Sequence, residues 1–145
     1  MPDRILRRAD LSDADALVRC IDAAYAVYAD TIKDLPDVSG GVAGDIEDHI
    51  VFVAEQAGRV VAGLVLMLGE DYLKVAILAV HPDAGGRGLG RALMARAASE
   101  AASRGLAQLR LATHVAMPGN VRFYSSMGWV EDGRAGNTVM MRKDL

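Results

Sequence analysis

Four glycines within six residues, Gly85, Gly86, Gly88 and Gly90, carry the first chemical signal in the chain. They lie between an apolar run, Leu73 to Val80, that breaks at His81-Pro82, and an alanine-rich stretch with helical spacing. Strand, glycine turn and helix start together suit an anion. The first turn of a helix leaves backbone N–H groups without partners, and the helix dipole favours negative charge there. Glycine removes the Cβ atoms that would hold a ligand off and permits positive φ. A plain tight turn is the alternative, but it needs fewer glycines than these. Two nucleotide patterns fail. A Walker A loop could use the spacing of Gly85 and Gly90, yet Arg91-Ala92 stand where Lys and a hydroxyl residue are required. A dinucleotide fingerprint would need a third glycine in register after Gly86 and Gly88, and a carboxylate on the next strand, where Leu111-Ala112-Thr113 stand.

The elements that must position this turn follow from periodicity. Arg4 to Arg8 forms a short strand. Ser12 is placed to cap a first helix, with Asp13 and Asp15 in its first turn. Leu17, Cys20, Ile21, Ala24, Tyr25 and Tyr28 recur at helical spacing, predicting about four turns that fade between Thr31 and Leu35. Pro36 to Gly44 reads as a loop with Gly40-Gly41 and Gly44 as hinges, and Asp45 to His49 as about one helical turn. Ile50 to Glu55 and Arg59 to Leu68 are β-branched strands joined at Gln56-Ala57-Gly58. Leu73 to Val80 carries only Lys74 as a polar residue, which predicts a central strand covered on both faces. The helix after the glycines presents Leu89, Leu93, Ala97 and Ala101 on one face and stops at Arg104-Gly105. Leu109 to Val115 is the next strand, parallel to the last because a helix separates them. A short helix, Asn120 to Met127, precedes a closing hairpin of Trp129–Glu131 and Thr138–Arg142, with Gly133 and Gly136 in its turn. The expected fold class is therefore α/β: a mixed, mostly antiparallel sheet of six to seven strands, a central parallel βαβ unit and about four helices.

At 145 residues the expectation is a single domain spanning 1–145, and 52% apolar with 24% charged residues is ordinary globular composition. A net charge of −3 and the lack of a dense basic run argue against nucleic acid as the main partner. The single Cys20 excludes an internal disulfide and sits on an apolar helical stripe, as buried filler does. His49, His81 and His114 share no metal-ligand spacing with Cys20, so no metal is expected. The N-terminus MPDRILRRAD has no apolar signal core and no apolar run reaches spanning length, so the expected location is the cytoplasm, away from the membrane.

The chain resembles the GNAT superfamily of N-acetyltransferases over nearly its whole length. Val80-His81-Pro82-Asp83 followed by Gly86-Arg87-Gly88-Leu89-Gly90-Arg91-Ala92-Leu93 is similar to that family's core strand-turn-helix pattern. Asn120 and Tyr124, in GNVRFYSSMGW, match a second feature, and the element order and the Gly-Trp-Val strand agree. Gly85 departs from the pattern: it stands where the family carries Gln or Arg, so only its backbone N–H is on offer. The resemblance implies acetyl-CoA as co-substrate. It assigns the diphosphate to the N–H groups of Gly85, Gly86, Arg87, Gly88, Leu89 and Gly90, with Arg87 or Arg91 adding charge-assisted contacts. It assigns the pantetheine to the strand segment Leu78-Ala79-Val80, whose backbone at Leu78 and Val80 would pair with the cofactor amides. The two parallel strands would then have to part beyond Ala79. Asn120 would contact the cofactor near its pantetheine or phosphate portion.

In the chemistry that the resemblance implies, a neutral primary amine attacks a thioester carbonyl. The catalytic residues it points to are Leu78, whose N–H would stabilise the oxyanion, and Tyr124, which would donate a hydrogen to the leaving sulfur. Proton transfer from a phenol near pKa ~10 to a thiolate near ~8.5 is uphill by about 2 kcal/mol, so that transfer completes late. An amine of pKa ~10.4 costs about 4.6 kcal/mol to deprotonate at neutral pH, whereas an α-amine near ~7.8 needs much less help. Many members of the family place a carboxylate on the central strand for this, but Ala76 and Ile77 hold none. Glu55, Glu70, Asp71, His114 and water stay open as bases.

Each of these residues also has a plainer reading. Tyr124 fits a core aromatic between Phe123 and Met127, Asn120 a helix cap, His114 a core histidine, and Arg87 and Arg91 solvated helix charges. Between Asp30 and Asp48, six acids (Asp30, Asp34, Asp37, Asp45, Glu47, Asp48) face one base, Lys33. That is either a solvated surface or a field that attracts a cationic acceptor, small molecule or peptide amine, with Tyr25 and Tyr28 lining its pocket and the Gly40-Gly41 loop closing over it. A homodimer is compatible with the sequence. The rival function is a non-catalytic acyl-CoA-binding or interaction module of the same fold that has lost its base.

Overall fold

The computed structural model describes residues 4–28, 32 and 39–145. Its strands are β1 (Arg4–Arg8), β2 (Ile50–Gln56), β3 (Arg59–Leu68), β4 (Leu73–Val80), β5 (Gln108–His114), β6 (Val130–Ala135) and β7 (Thr138–Asp144). The helices are α1 (Ala14–Ala26), α2 (Val42–Asp48), α3 (Leu89–Ser103) and α4 (Pro118–Ser125). The strands form one sheet in the order β1-β2-β3-β4-β5-β7-β6, with β4 and β5 parallel around the α3 crossover. The α/β, mostly antiparallel architecture with four helices is the one expected. The chain divides into two compact units, Met1–Leu66 with Ile77–Arg96, and Met67–Ala76 with Ala97–Leu145.

In the first unit, β1 pairs antiparallel with β2 from Arg4↔Gln56 to Arg8↔Phe52, and β2 pairs antiparallel with β3. Ala57 (φ 53°) and Gly58 (φ 76°) are both left-handed at the β2–β3 hairpin, as a two-residue turn of the twist-matching hand demands. Leu17, Ile21, Val42, Val53, Leu64 and Leu93 are all fully buried in this unit. Gly63 is required where it stands, because a Cβ there would overlap Leu17 Cδ1. The helix entry differs from expectation. A three-ten turn, Leu11–Asp13, leads into α1, and Asp10 caps it by accepting the Ser12 N–H at 2.9 Å. Asp13 Oδ2 accepts the Asp10 N–H at 2.9 Å and closes a capping box. Ser12 therefore lies inside the turn that it was expected to cap; a carboxylate one turn earlier reaches more of the orphan donors.

α2 also begins earlier than composition suggests, at Val42 within the expected loop. Val42 is fully buried, and that apolar anchor outweighs the loop-like glycines, of which Gly41 becomes the N-cap residue. Positions 29–31 and 33–38 lie outside the described residues, and with them Asp30, Lys33, Asp34, Asp37 and most of the expected end of α1.

β4 shows a clean alternation. Leu73, Val75, Ile77 and Ala79 are buried, Lys74 is exposed, and Ala76, Leu78 and Val80 are half-buried. The expectation of a strand covered on both faces is thus corrected, because small and medium side chains keep one face apolar without burying it fully.

In the second unit, the parallel pairing joins Leu73–Val75 to Leu109–Leu111. β5 pairs with β7 from Gln108↔Asp144 to His114↔Thr138. α3 ends on a Schellman closure: the Leu106 N–H reaches Ala101 O at 2.9 Å and the Gly105 N–H reaches Ala102 O at 3.1 Å, with Gly105 at φ 71°. The last hairpin turns at Gly136 (φ 58°), while Gly133 lies within β6 at a register shift opposite Met140. Gly133 is thus a bulge residue and not part of the turn; a Cβ there would press on Met140 Cε at 3.1 Å. Among the described residues no helix is long and apolar enough to cross a membrane, and no three His, Cys, Asp or Glu side chains gather as metal ligands.

Candidate functional site

The glycine turn is built in layers. β4 ends at Val80, and the His81 N–H is held by Val61 O at 2.8 Å. Pro82–Ala84 then makes one three-ten turn, with Ala84 buried as its anchor and the Asp83 N–H bonded to His81 Nδ1 at 3.1 Å. Gly85 follows with extended backbone, φ −65° and ψ 156°, and its N–H closes the three-ten turn on Pro82 O at 3.3 Å, so the donor expected at Gly85 is already used. Gly86 (φ 75°) and Gly88 (φ 76°) are left-handed, and a Cβ on either would meet no atom within 4 Å. Leu89 is buried and starts α3; the first helical bond here runs from the Ala92 N–H to Gly88 O at 3.0 Å.

Those values separate two uses of glycine. At Gly86 and Gly88 the backbone demands it, because other L-residues adopt this conformation at a cost of about 1–2 kcal/mol. At Gly85 nothing demands it: φ is ordinary, and a Cβ would sit 3.5 Å from Pro82 O, in normal contact. Residues 85–88 are exposed, Gly90 is half-buried, and Arg91 is exposed on the first turn of α3. The turn presents open space, bare backbone and a helix start, the combination that favours an anion.

Two residues that sequence reasoning missed hold this turn. Arg4 Nη1 donates to Arg87 O at 2.9 Å, and Arg87 Nη1 donates to Gln56 Oε1 at 3.2 Å. In a trans peptide the carbonyl and the following N–H point in opposite directions. Fixing Arg87 O toward Arg4 therefore turns the Gly88 N–H away from β1. No local pattern could have signalled Arg4, because 83 positions separate the pair. The Arg87 guanidinium is engaged by Gln56, and Arg91 is exposed on the first turn of α3. A hollow of about 340 Å³ beside the turn is lined by Gln56, Val61, Asp83, Ala84 and Arg87 among others.

In the second unit, α4 carries Asn120 and Tyr124. Met117 is the N-cap residue and Pro118 opens the helix, so Asn120 lies within it and does not cap it. Asn120 Nδ2 instead donates to Thr113 Oγ1 and contacts Met117 Sδ, both at 3.3 Å. Tyr124 is 8% exposed, with its ring 5.3 Å from that of Phe123 and 5.7 Å from that of Trp129. The ring is fixed by packing, which suits a core aromatic and equally a hydroxyl whose aim must not wander.

The candidate bases are less well placed. Glu55 Oε2 accepts from Arg7 Nε at 3.2 Å, and Glu70 and Asp71 are exposed on the turn before β4. His114 Nδ1 accepts the Ala116 N–H at 3.0 Å, so that lone pair is already used. Tyr25 and Tyr28 are half-buried near the end of α1, and burial raises the Tyr25 hydroxyl pKa, with Tyr28 adding to the effect. Cys20 is buried, and burial pushes its thiol up to about 11.

Residues 47–131, more than half of the chain, match the family model described as Acetyltransferase (GNAT) domain. A search of curated proteins found no match. Among solved structures, the PaiA N-acetyltransferase of Thermoplasma acidophilum in complex with coenzyme A is 15% identical, covers 99% of both chains and superposes with a TM-score of 0.89. The ribosomal-protein-S18-alanine N-acetyltransferase of Escherichia coli is 22% identical over 98% of this chain and 94% of its own, with a TM-score of 0.81. A GNAT acetyltransferase from Staphylococcus aureus is 13% identical over 98% and 99%, with a TM-score of 0.85. At these identities the structures speak for the shared fold, and the family model adds the sequence itself. Enzymes of this family draw their acetyl group from acetyl-CoA, and the chain belongs to the GNAT acetyltransferases.

Proposed function

We propose that the protein is an acetyl-CoA-dependent N-acetyltransferase that transfers the acetyl group by direct attack of a primary amine. One observation carries the reading: two left-handed glycines, with open space around them, immediately precede the α3 start on a strand-turn-helix unit. The N–H groups from Gly86 to Gly90 hold the diphosphate, the Gly85 N–H being spent on Pro82 O at 3.3 Å, and Arg87 or Arg91 adds its charge. Leu78 and Val80 give their backbone to the pantetheine amides, with Ala79 buried between them.

Acetyl-CoA supplies the thioester carbonyl and the thiolate leaving group. The Leu78 N–H donates to the carbonyl oxygen as negative charge builds there, and the Tyr124 hydroxyl donates to the sulfur. Packing against Phe123 and Trp129 holds the phenol in one orientation, so its hydrogen bond costs little further ordering. The half-buried face of β4 (Ala76, Leu78, Val80) carries no carboxylate, which bears on the acceptor. An α-amino group near pKa ~7.8 costs about 1.1 kcal/mol to deprotonate at neutral pH, against about 4.6 for a lysine-like amine. A peptide or small-molecule α-amine is therefore the acceptor that this chain can serve without a strong base.

The same missing carboxylate favours one competing reading, a module that binds acyl-CoA without turning it over. Thiol release from acetyl-CoA, measured against a panel of α-amines and ε-amines, separates the two. Turnover with α-amines exceeding that with ε-amines is expected. Tight coenzyme A binding with no thiol release for any amine would overturn the enzyme.

A further inference from the structure

β1, the start of α1, the β2–β3 hairpin and the end of β4 enclose a cleft of about 440 Å³ that none of the glycine-turn residues 85–91 lines. Its size suits a small organic or inorganic ion. Ala16, Cys20 and Val60 supply apolar lining, and the remainder is charged or polar.

Two carboxylates line the cleft, and one arginine takes both. Arg7 Nη1 and Nη2 bind Asp13 at 2.7 and 2.8 Å, and Arg7 Nε binds Glu55 at 3.2 Å. That leaves Arg19 and Arg59. Among the described residues Arg19 has no hydrogen-bond or ion-pair partner. Arg59 lies 4.0 Å from Asp83, a carboxylate whose side chain is 77% exposed, and its Nη2 lies 3.3 Å from His81 Nε2.

Arg59 Nη2 and His81 Nε2 meet at 3.3 Å, and the ring tautomer decides which of them donates. His81 Nδ1 accepts the Asp83 N–H at 3.1 Å and lies 3.7 Å from the Asp83 carboxylate; the neutral tautomer that suits the first of these bonds carries its hydrogen on Nε2. In that tautomer a guanidinium N–H faces an imidazole N–H, donor against donor, with an unpaired arginine on the same cleft. Converging donors of this kind are what an oxyanion requires.

We propose that this cleft is a binding site for a small oxyanion, a carboxylate or a phosphate, whose oxygen accepts from both His81 Nε2 and Arg59 while Arg19 supplies further positive charge. The site is separate from the diphosphate turn and does not depend on the proposed catalytic reading. His81 also begins the segment that leads into Gly85, so an occupant would brace the turn from below.

The test uses the full, isotope-labelled chain without cofactor, titrated with sodium phosphate and separately with sodium acetate at constant ionic strength, with sodium chloride as reference. Saturable shifts are expected at the Gly58 and Val60 amides and at the His81 ring N–H. Saturation by phosphate alone, or by both, supports the site and assigns its preference. Arg19→Gln and Arg59→Gln should each weaken binding by about tenfold, the loss of one charge-assisted bond. Both are exposed, so their melting temperatures should stay near that of the parent. Shifts confined to the Gly86–Gly90 amides would overturn the proposal. So would a drift matching chloride, or unchanged affinity in both variants.

Discussion

Gly88→Ala tests the anion turn most directly, because its two effects can be separated. Gly88 sits at φ 76° with no atom within 4 Å of an added Cβ, so nothing in the folded protein clashes with the methyl group. The stability cost is then backbone strain alone, about 1–2 kcal/mol, reduced by the entropy that alanine removes from the unfolded chain. A net loss of about 1 kcal/mol lowers the melting temperature by about 4 °C in a domain of this length. Gly105 provides the control: φ is 71°, the space around it is equally open, and it closes the far end of α3. Gly105→Ala should lower the melting temperature to the same degree. The two should differ in coenzyme A binding. At Gly88 the methyl enters the space from which the diphosphate meets backbone N–H groups, and losing one such bond costs about 1.5–3 kcal/mol. Calorimetric titration should therefore show Gly88→Ala binding coenzyme A at least about tenfold more weakly, with Gly105→Ala unchanged. Equal affinities in the two variants, at equal melting temperatures, would refute the placement of the diphosphate.

Other substitutions bear on neighbouring parts of the argument. Tyr124→Phe should lower kcat by about a hundredfold with coenzyme A affinity unchanged, measured by thiol release and calorimetry; equal losses in both would return Tyr124 to the core. Gly85→Arg should tighten coenzyme A binding severalfold, because the backbone at φ −65° accepts a side chain and the new guanidinium can reach the diphosphate. Asp13→Asn should cost about 2–4 kcal/mol in denaturant unfolding near neutral pH, since it weakens both the capping box and the grip on Arg7. The hydrogen bonds from Arg7 hold the Asp13 carboxyl below the usual carboxylate range, against the opposing effect of burial. Its contribution is thus complete above the unfolded-state pKa of about 3.9 and is lost as pH falls through the lower folded value. The gap between parent and Asp13→Asn should close over that acidic window, and a gap independent of pH would contradict the account.

Much of the fold was legible because its signals are local. The β2 and β3 boundaries follow β-branched runs closed by Ala57-Gly58, and the end of α3 follows Gly105, whose left-handed φ excludes most other residues. Errors arose where a distant contact decided the outcome. α2 starts at Val42 because that side chain is buried, although every neighbour reads as loop. Gly133 answers to Met140 on the paired strand, a constraint that turn chemistry does not reveal. At the site, the left-handed glycines could be anticipated from spacing, since their need is conformational and local. The Arg4 contact to Arg87 O and the Arg7 contact to Glu55 join segments far apart in sequence. Opposite charges placed at such distances leave no periodic trace.

The threefold grip of Arg7 has a consequence for the free edge of the sheet. Among the described residues β1 pairs with β2 alone, and five residues held on one side would ordinarily fray. Arg7 stitches the strand to Asp13 at the entry to α1 and to Glu55 on β2, so opening β1 must also break a bidentate ion pair. Amide exchange along β1 should then be slower than its edge position suggests. The protection should fade in acid as the Asp13 carboxylate takes up its proton and releases Arg7. In an acidifying environment, the N-terminal strand would lose this hold.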